Sequence, residues 1–218
     1  MNFHIVTLFP ESVRPYLNSS ILGRAQEAKK IRVFLYNPYD YADNKWGKVD
    51  NRPYGGGPGM VIEALPVLKA VEAAKKKAGK KTKILWFSPG GKQFDNLAAK
   101  KFSKIKDLIL ICGRYEGIDE RVRKITKAES ISVGPFVLSG GEVPAILVVD
   151  AVARHIPGVL GKISSLEESR VASSEVYTRP ESFKYKGKKY SVPRVLLSGH
   201  HKDIEKWKEP RSGVKRTK

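Results

Sequence analysis

The sequence predicts an α/β domain around a mostly parallel sheet, followed by a smaller unit, and three observations carry that expectation. Apolar runs of strand length recur between Phe3 and Val133, and helical patterns lie between several of them. A chain of 218 residues that is 41% hydrophobic can bury one good-sized core, with little left for a second.

In chain order the strand runs are Phe3 to Phe9, Ile31 to Tyr36, Ile84 to Phe87, Leu108 to Cys112 and Ser130 to Val133, each bounded by Gly, Pro or charge. The clearest helices are Ile62 to Lys77, with Leu65, Leu68, Val71 and Ala74 spaced for one face, and Val143 to Ile156, with Ile146, Val149 and Val152 on another. The first domain is expected to span 1–161. Residues 162–176, rich in Ser and Glu, read as a linker. Residues 177–218 have little to bury beyond Val192, Val195, Leu196, Leu197, Ile204 and Trp207, which suits one or two helices and turns in a small C-terminal domain.

Ligands of open α/β sheets bind beyond the carboxyl ends of the strands, and here three such ends are Gly-rich: Phe87 to Gly91, Cys112 to Gly117, and Val133 to Glu142. Glycine lets backbone approach a flat ligand and bond its edges, so the three loops together favour a pocket over three ordinary turns. Neither G-x-G-x-x-G nor G-x-x-x-x-G-K-[ST] occurs, which argues against a dinucleotide fold and a P-loop. The segment Asn37 to Met60 is longer than typical connections, as functional or disordered loops are. Its Tyr39, Tyr41 and Trp46 suit either stacking on unpaired bases or anchoring the loop to the core.

A formal charge of +19 points to a polyanionic partner, nucleic acid first. Runs such as Lys75-Lys76-Lys77 read equally well as a solvated helix face. One cysteine, Cys112, in an apolar run fits a buried strand residue and excludes a disulfide framework. The four His and the Cys show no ligand spacing for zinc. No signal segment opens the chain, and no apolar stretch approaches the roughly 20 residues of a membrane span, so a cytoplasmic protein is expected.

The blocks Arg52 to Met60, Cys112 to Val122, Val137 to Pro144, Asp150 to Gly161, Tyr177 to Pro180 and Leu196 to His200 resemble, in order, the bacterial tRNA (guanine-N1)-methyltransferase family. The resemblance implies a SPOUT-type parallel sheet with a deep trefoil knot, an exception to the rule against knotted chains. It implies S-adenosylmethionine bound in that knot by Phe87, Ser88, Pro89, Gly113, Tyr115, Ile118, Ser132, Val133, Gly134, Pro135, Phe136, Val137, Leu138, Gly140, Gly141 and Pro144. The implied reaction is methylation of N1 of guanosine 37 in tRNA, next to the anticodon, which maintains the reading frame. The implied assembly is a homodimer whose active sites lie at the subunit interface, each joining the knot of one chain to the linker of the other.

Guanine N1 carries a proton at neutral pH, so transfer needs a general base within hydrogen-bond reach and a cation for the charge that develops on the neighbouring oxygen. By resemblance the cation is Arg154. The family's Asp, which stands before a Ser in the linker, is replaced here by Glu168 before Ser169, with Glu167 beside it. The segment from Gly161 is one residue shorter than the common pattern, and the longer Glu compensates for the reach. Asp50, Arg52, Tyr115 and Glu116 are the implied substrate contacts. Glu116 reads either as a first-turn acid favoured by a helix dipole or as a ligand of the magnesium that assists the reaction. The chain stops soon after Arg211, where the family continues into further helices, so part of the surface that grips the tRNA anticodon stem-loop is expected to be shortened. Two rival readings are another SPOUT-type methyltransferase acting on ribosomal RNA and a relative that binds RNA without catalysis.

Overall fold

The computed structural model describes residues 1–79, 81–160 and 175–208, and the chain divides into two compact units, Met1–Gly161 and Lys162–Lys218. In the first unit, chain order is β1 (Asn2–Val6), α1 (Pro10–Leu17), α2 (Ser20–Glu27), β2 (Arg32–Tyr36), a 3-10 turn (Pro38–Tyr41), β3 (Asp50–Asn51), β4 (Val61–Ile62) and α3 (Ala64–Lys77). There follow β5 (Thr82–Gln93), α4 (Asn96–Phe102), β6 (Asp107–Ile111), α5 (Glu120–Thr126), β7 (Glu129–Ser132) and α6 (Glu142–Ala153).

Five strands form one sheet in the order β2-β1-β6-β5-β7, with every pairing parallel. Alternation along each strand divides the core into two layers. Phe3, Ile5, Leu85, Leu108 and Leu110 face one side, with Val13, Leu17, Phe102, Val148 and Val152 from the helices there. Val6, Ile84, Trp86, Ile109 and Ile111 face the other side, packed with Val67, Ala70, Val71, Ala74 and Val122. Strands covered on both faces must be apolar throughout, which is why these runs lack the alternating pattern of a half-exposed sheet.

Three expectations are corrected. The strand expected at Ile84 to Phe87 runs from Thr82 to Gln93, because pairing with β7 resumes at Lys92 and Gln93 after a register shift. Gly91 permits this: a Cβ there would lie 2.5 Å from the Ile131 nitrogen. On α3 the buried stripe is Pro66, Val67, Ala70, Val71 and Ala74, while Leu65 is exposed. The second unit carries a β-hairpin, β8 (Ser182–Tyr185) and β9 (Lys188–Ser191), ahead of the helices α7 (Arg194–Leu197) and α8 (His201–Lys208), so it is not purely helical. The hairpin is a weak signal in the sequence because its strands are four residues each and none of their residues is buried, so the short alternation of Phe183 and Tyr185 with lysine marks no core face.

At the amino ends of β1 and β6 a polar cluster is sealed inside the sheet. Asp107 accepts from the Asn2 side chain at 2.8 Å and from the Gly79 backbone N–H at 3.2 Å, and meets His4 Nε2 at 3.3 Å. The other His4 nitrogen lies 3.0 Å from the Tyr36 hydroxyl, and Phe34, with Lys77 over its ring, stacks on the imidazole. Burial, helped by Lys77, pushes the His4 pKa below its ordinary value of 6.5 despite Asp107. Burial alone would raise the Asp107 carboxyl, but the bonds from Asn2, Gly79 and His4 outweigh it and hold it low.

Both shifts act in one direction. The unfolded chain takes up a proton at residue 4 below pH 6.5 that the folded chain resists, and below the ordinary Asp range the same holds at residue 107, so acidification destabilises the fold. Urea unfolding between pH 7.5 and 5 is expected to show stability falling with pH, with a shallower fall in His4→Gln. An equally steep fall in that variant would refute the attribution.

Candidate active site

The Phe87–Pro89 stretch of β5, where its register shifts, and the segments that follow β6 and β7 meet at one cavity of about 320 Å³, and backbone geometry explains how they come to share it. The chain leaving β7 returns to the end of β6, two strands away, where the Gly141 N–H donates to the Gly113 carbonyl at 2.8 Å. That approach requires glycine, since a Cβ on Gly141 would lie 2.5 Å from Cys112 Cα. Cys112 itself is buried in the core, and burial pushes its thiol well above the ordinary range, so it is a packed and inert residue.

A buried carboxylate ties the loops together. Glu142, 3% exposed at the start of α6, accepts from the Thr7 hydroxyl at 2.7 Å and from Arg114 Nε at 3.0 Å. Arg114 also reaches the Ser139 carbonyl and lies over the Phe9 ring, 4.7 Å from its centroid. Ion pair, hydroxyl and ring thus fix the ends of β1 and β6 to the first turn of α6. Sequence reasoning passed over Arg114 and Glu142; the only signal was that each stands beside a glycine in a Gly-rich loop.

The residues expected around the methyl donor come together here, with two exceptions. Ile118 lies beneath Gly113 in the core, 3.5 Å from where a Cβ on Gly113 would sit, and Pro135 does not face the cavity. All the others expected there line it, joined by Arg114, Glu116, Gly117, Ile131 and Ser139. Ser132 is buried and its hydroxyl donates to the Gly134 carbonyl at 3.0 Å, which shapes the turn after β7. Phe136, Val137 and Leu138 leave an exposed apolar rim.

The long loop is carried to the same place by a backbone ladder. Glu116 N–H donates to Met60 O, Ile62 N–H to Gly117 O, and Asp119 N–H to Ile62 O, each at 3.0 Å. The Glu116 carboxylate lies over Gly59, where a Cβ would meet its Oε1 at 2.6 Å. Tyr115, at the mouth, holds a left-handed backbone (φ 58°) that side chains seldom adopt, and its hydroxyl pairs with that of Tyr39. Burial first, then that pairing, raises the Tyr39 hydroxyl pKa. Tyr41 packs against the core, whereas Tyr39 is partly exposed and Trp46 is 90% exposed, so the aromatics of this loop divide between anchoring and display.

Asp50 lies in β3, and Arg52 borders a separate concavity formed with Gly56, Gly57, Gly59 and Met60. Arg154 follows α6 and does not line the cavity of its own chain; among the described residues its buried Nε finds no hydrogen-bond partner. Glu167 and Glu168 lie outside the described residues. Among the described residues no group of three His, Cys, Asp or Glu is arranged to hold a metal ion, and no helix is long and apolar enough to cross a membrane.

A parallel sheet of this order, with a glycine-lined cavity on the side of its carboxyl ends, is the arrangement in which α/β proteins commonly bind small organic ligands. Such sites in an all-parallel sheet are typical of enzymes. The chain belongs to the tRNA (guanine-1)-methyltransferase TrmD family, whose model matches residues 1–218. It is 44% identical over 214 residues to the tRNA (guanine-N(1)-)-methyltransferase of Pseudoalteromonas atlantica, covering 96% of this chain and 79% of that protein. The protein of the same description from Lachnospira eligens is 42% identical over 222 residues, covering 100% of this chain and 92% of the relative. That from Desulforamulus reducens is 43% identical over 217 residues, covering 97% and 84%.

Proposed function

We propose that this protein methylates N1 of guanosine 37 in tRNA, with S-adenosylmethionine as donor, and so maintains the reading frame. The observation that carries the reading is the glycine-lined cavity between the middle of β5 and the ends of β6 and β7, in a chain whose residues 1–218 the family model matches. A cavity of about 320 Å³ with main-chain donors, an apolar rim and one carboxylate suits a donor that combines an adenine, a ribose and an amino acid. The path from β7 back to β6 is read as the trefoil knot. Residues 1–161 would form the donor domain, 162–176 the linker and 177–218 the RNA-binding unit.

When bound, the donor supplies an electrophilic methyl group on a sulfonium. Glu168 would remove the N1 proton from guanine, leaving the nitrogen lone pair free to take up a methyl group. Arg154 balances the negative charge that appears on the guanine oxygen. Its Nε is buried and has no hydrogen-bond partner among the described residues. Glu116 is exposed and lines the cavity; a single carboxylate with room for waters is a fit for magnesium. Asp50 and Arg52 would contact the anticodon loop beside Tyr115 and Glu116.

A homodimer acting in the cytoplasm completes the site. Helix α6 is apolar nearly all round, a composition of buried helices, yet Val143 is 59% and Leu147 39% exposed, with Val137 exposed beside its start. A second copy on this face buries them and brings its linker to the cavity.

Two transcripts that differ only in carrying guanosine or adenosine at position 37 test the proposal. With labelled donor, methyl incorporation is expected in the first alone, and nucleoside analysis should recover 1-methylguanosine. Equal labelling of both, or of neither, would overturn it.

A further inference from the structure

The wall of the cavity holds a charge pair that packing alone does not require. Among the described residues that line the cavity only Arg114 and Glu116 are charged, and Glu116 is exposed. Glu142 is not one of the lining residues. Its carboxylate lies directly behind Gly140, where an added Cβ would come within 2.5 Å of both Arg114 Nε and Glu142 Oε2. The Arg114 and Glu142 side chains are 27% and 4% exposed, so water screens their charges less than that of Glu116.

Stability gives no reason for the pair to be ionic, because a buried ion pair contributes little over an apolar pair of the same shape. The loops are also joined by groups that need no carboxylate. The Thr7 hydroxyl accepts from the Phe9 N–H at 3.0 Å, the Arg114 guanidinium reaches the Ser139 carbonyl, and its flat face lies over the Phe9 ring. Arg114 thus fixes the loop after β6 with its fork and its face, and in doing so sets a cation at the wall. A carboxylate behind it cancels that cation and leaves the fork in place.

The inference rests on S-adenosylmethionine being the donor. That molecule carries a sulfonium cation, whereas S-adenosylhomocysteine, the thioether left after transfer, lacks the methyl group and the positive charge and is otherwise the same. Two unit charges roughly 10 Å apart, the scale of a cavity of about 320 Å³, change each other's binding by about tenfold at the effective dielectric constant of a protein site. An uncompensated Arg114 would therefore favour the spent product over the donor.

We propose that Glu142 is a specificity-determining residue that neutralises Arg114 from behind the cavity wall, so that the site accepts a sulfonium donor without preferring its uncharged thioether product.

The test uses the full chain and calorimetric titration with each of the two ligands, and its readout is the Kd for S-adenosylmethionine divided by the Kd for S-adenosylhomocysteine. Glu142→Gln keeps the shape and an acceptor for Arg114 but leaves the guanidinium uncompensated, and is expected to raise the ratio roughly tenfold. Arg114→Gln leaves the carboxylate unopposed and should lower the ratio. The double variant has neither charge and should return to within about threefold of wild type. Loss of packing weakens both ligands alike and leaves the ratio where it was, which separates a charge role from a structural one. Single variants whose ratios stay at the wild-type value, or move in the same direction, overturn the proposal. Should one single variant not fold, the sign of the shift in the other decides. A wild-type protein that binds neither ligand would instead sink the donor assignment.

Discussion

Replacing Glu168 with alanine is expected to lower methyl transfer by roughly 10²-fold or more at saturating tRNA and donor, the usual contribution of a positioned general base. Donor affinity should not change, because the carboxylate is assigned to the guanine edge and the donor cavity is lined by other residues. The residual rate should climb with pH, since hydroxide then takes over removal of the N1 proton. Glu168→Asp restores the carboxylate but shortens its reach, and recovers part of the loss. Glu167→Ala should retain activity. A Glu168→Ala enzyme with wild-type kcat, or one whose loss is shared by Glu167→Ala alone, would remove residue 168 from the mechanism. Single-turnover rates measured alongside donor titration separate the two outcomes.

Gly141→Ala has the largest expected effect on the donor site itself. The added methyl would sit 2.5 Å from Cys112 Cα and 2.9 Å from the Gly113 nitrogen, far inside the roughly 3.5–4.0 Å of a comfortable approach. Both obstacles are backbone, so relief requires residues 140–142 to move away from the end of β6. The Gly141–Gly113 hydrogen bond is then broken, and the Arg114–Glu142 pair that closes the same wall is strained. Destabilisation of about 1–3 kcal/mol is expected, together with a tenfold or greater fall in donor affinity. Gly90→Ala is the control: nothing lies within 4 Å of its added Cβ and its backbone is not left-handed, so stability and binding should hardly change. Thermal unfolding and calorimetric titration with S-adenosylmethionine check both variants. A Gly141→Ala protein that melts and binds as wild type does would show that the close approach of β6 and the α6 entry is not what forms the pocket.

The strands of the main sheet were readable because burial on both faces demands uninterrupted apolar sequence, and Phe3, Ile5, Leu108 and Leu110 report it directly. On α3 Val71 and Ala74 are buried as their spacing predicts and Leu68 is partly buried, but Leu65 is exposed, and the smaller Val67 and Ala70 complete the face that fits against the sheet. Among site residues, the glycine loops were legible because at Gly91 and Gly141 a close approach of backbone tolerates no other side chain. Arg114, Glu142 and Thr7 were not, since the last two lie 135 residues apart and only the crossing from β7 to β6 makes them neighbours.

Amino-acid order alone therefore settled the class of fold, the three Gly-rich segments that meet at the pocket and the family, because these depend on local burial patterns, glycine at tight approaches and ordered motifs. The tertiary structure alone decided which loops share a wall, that β5 continues past its apolar run, that Ile118 supports the pocket from beneath, and that a hairpin of exposed rings and lysines stands in the second unit. Those features come from pairings between distant segments, and a one-dimensional pattern records which side chains are present without recording which backbones meet.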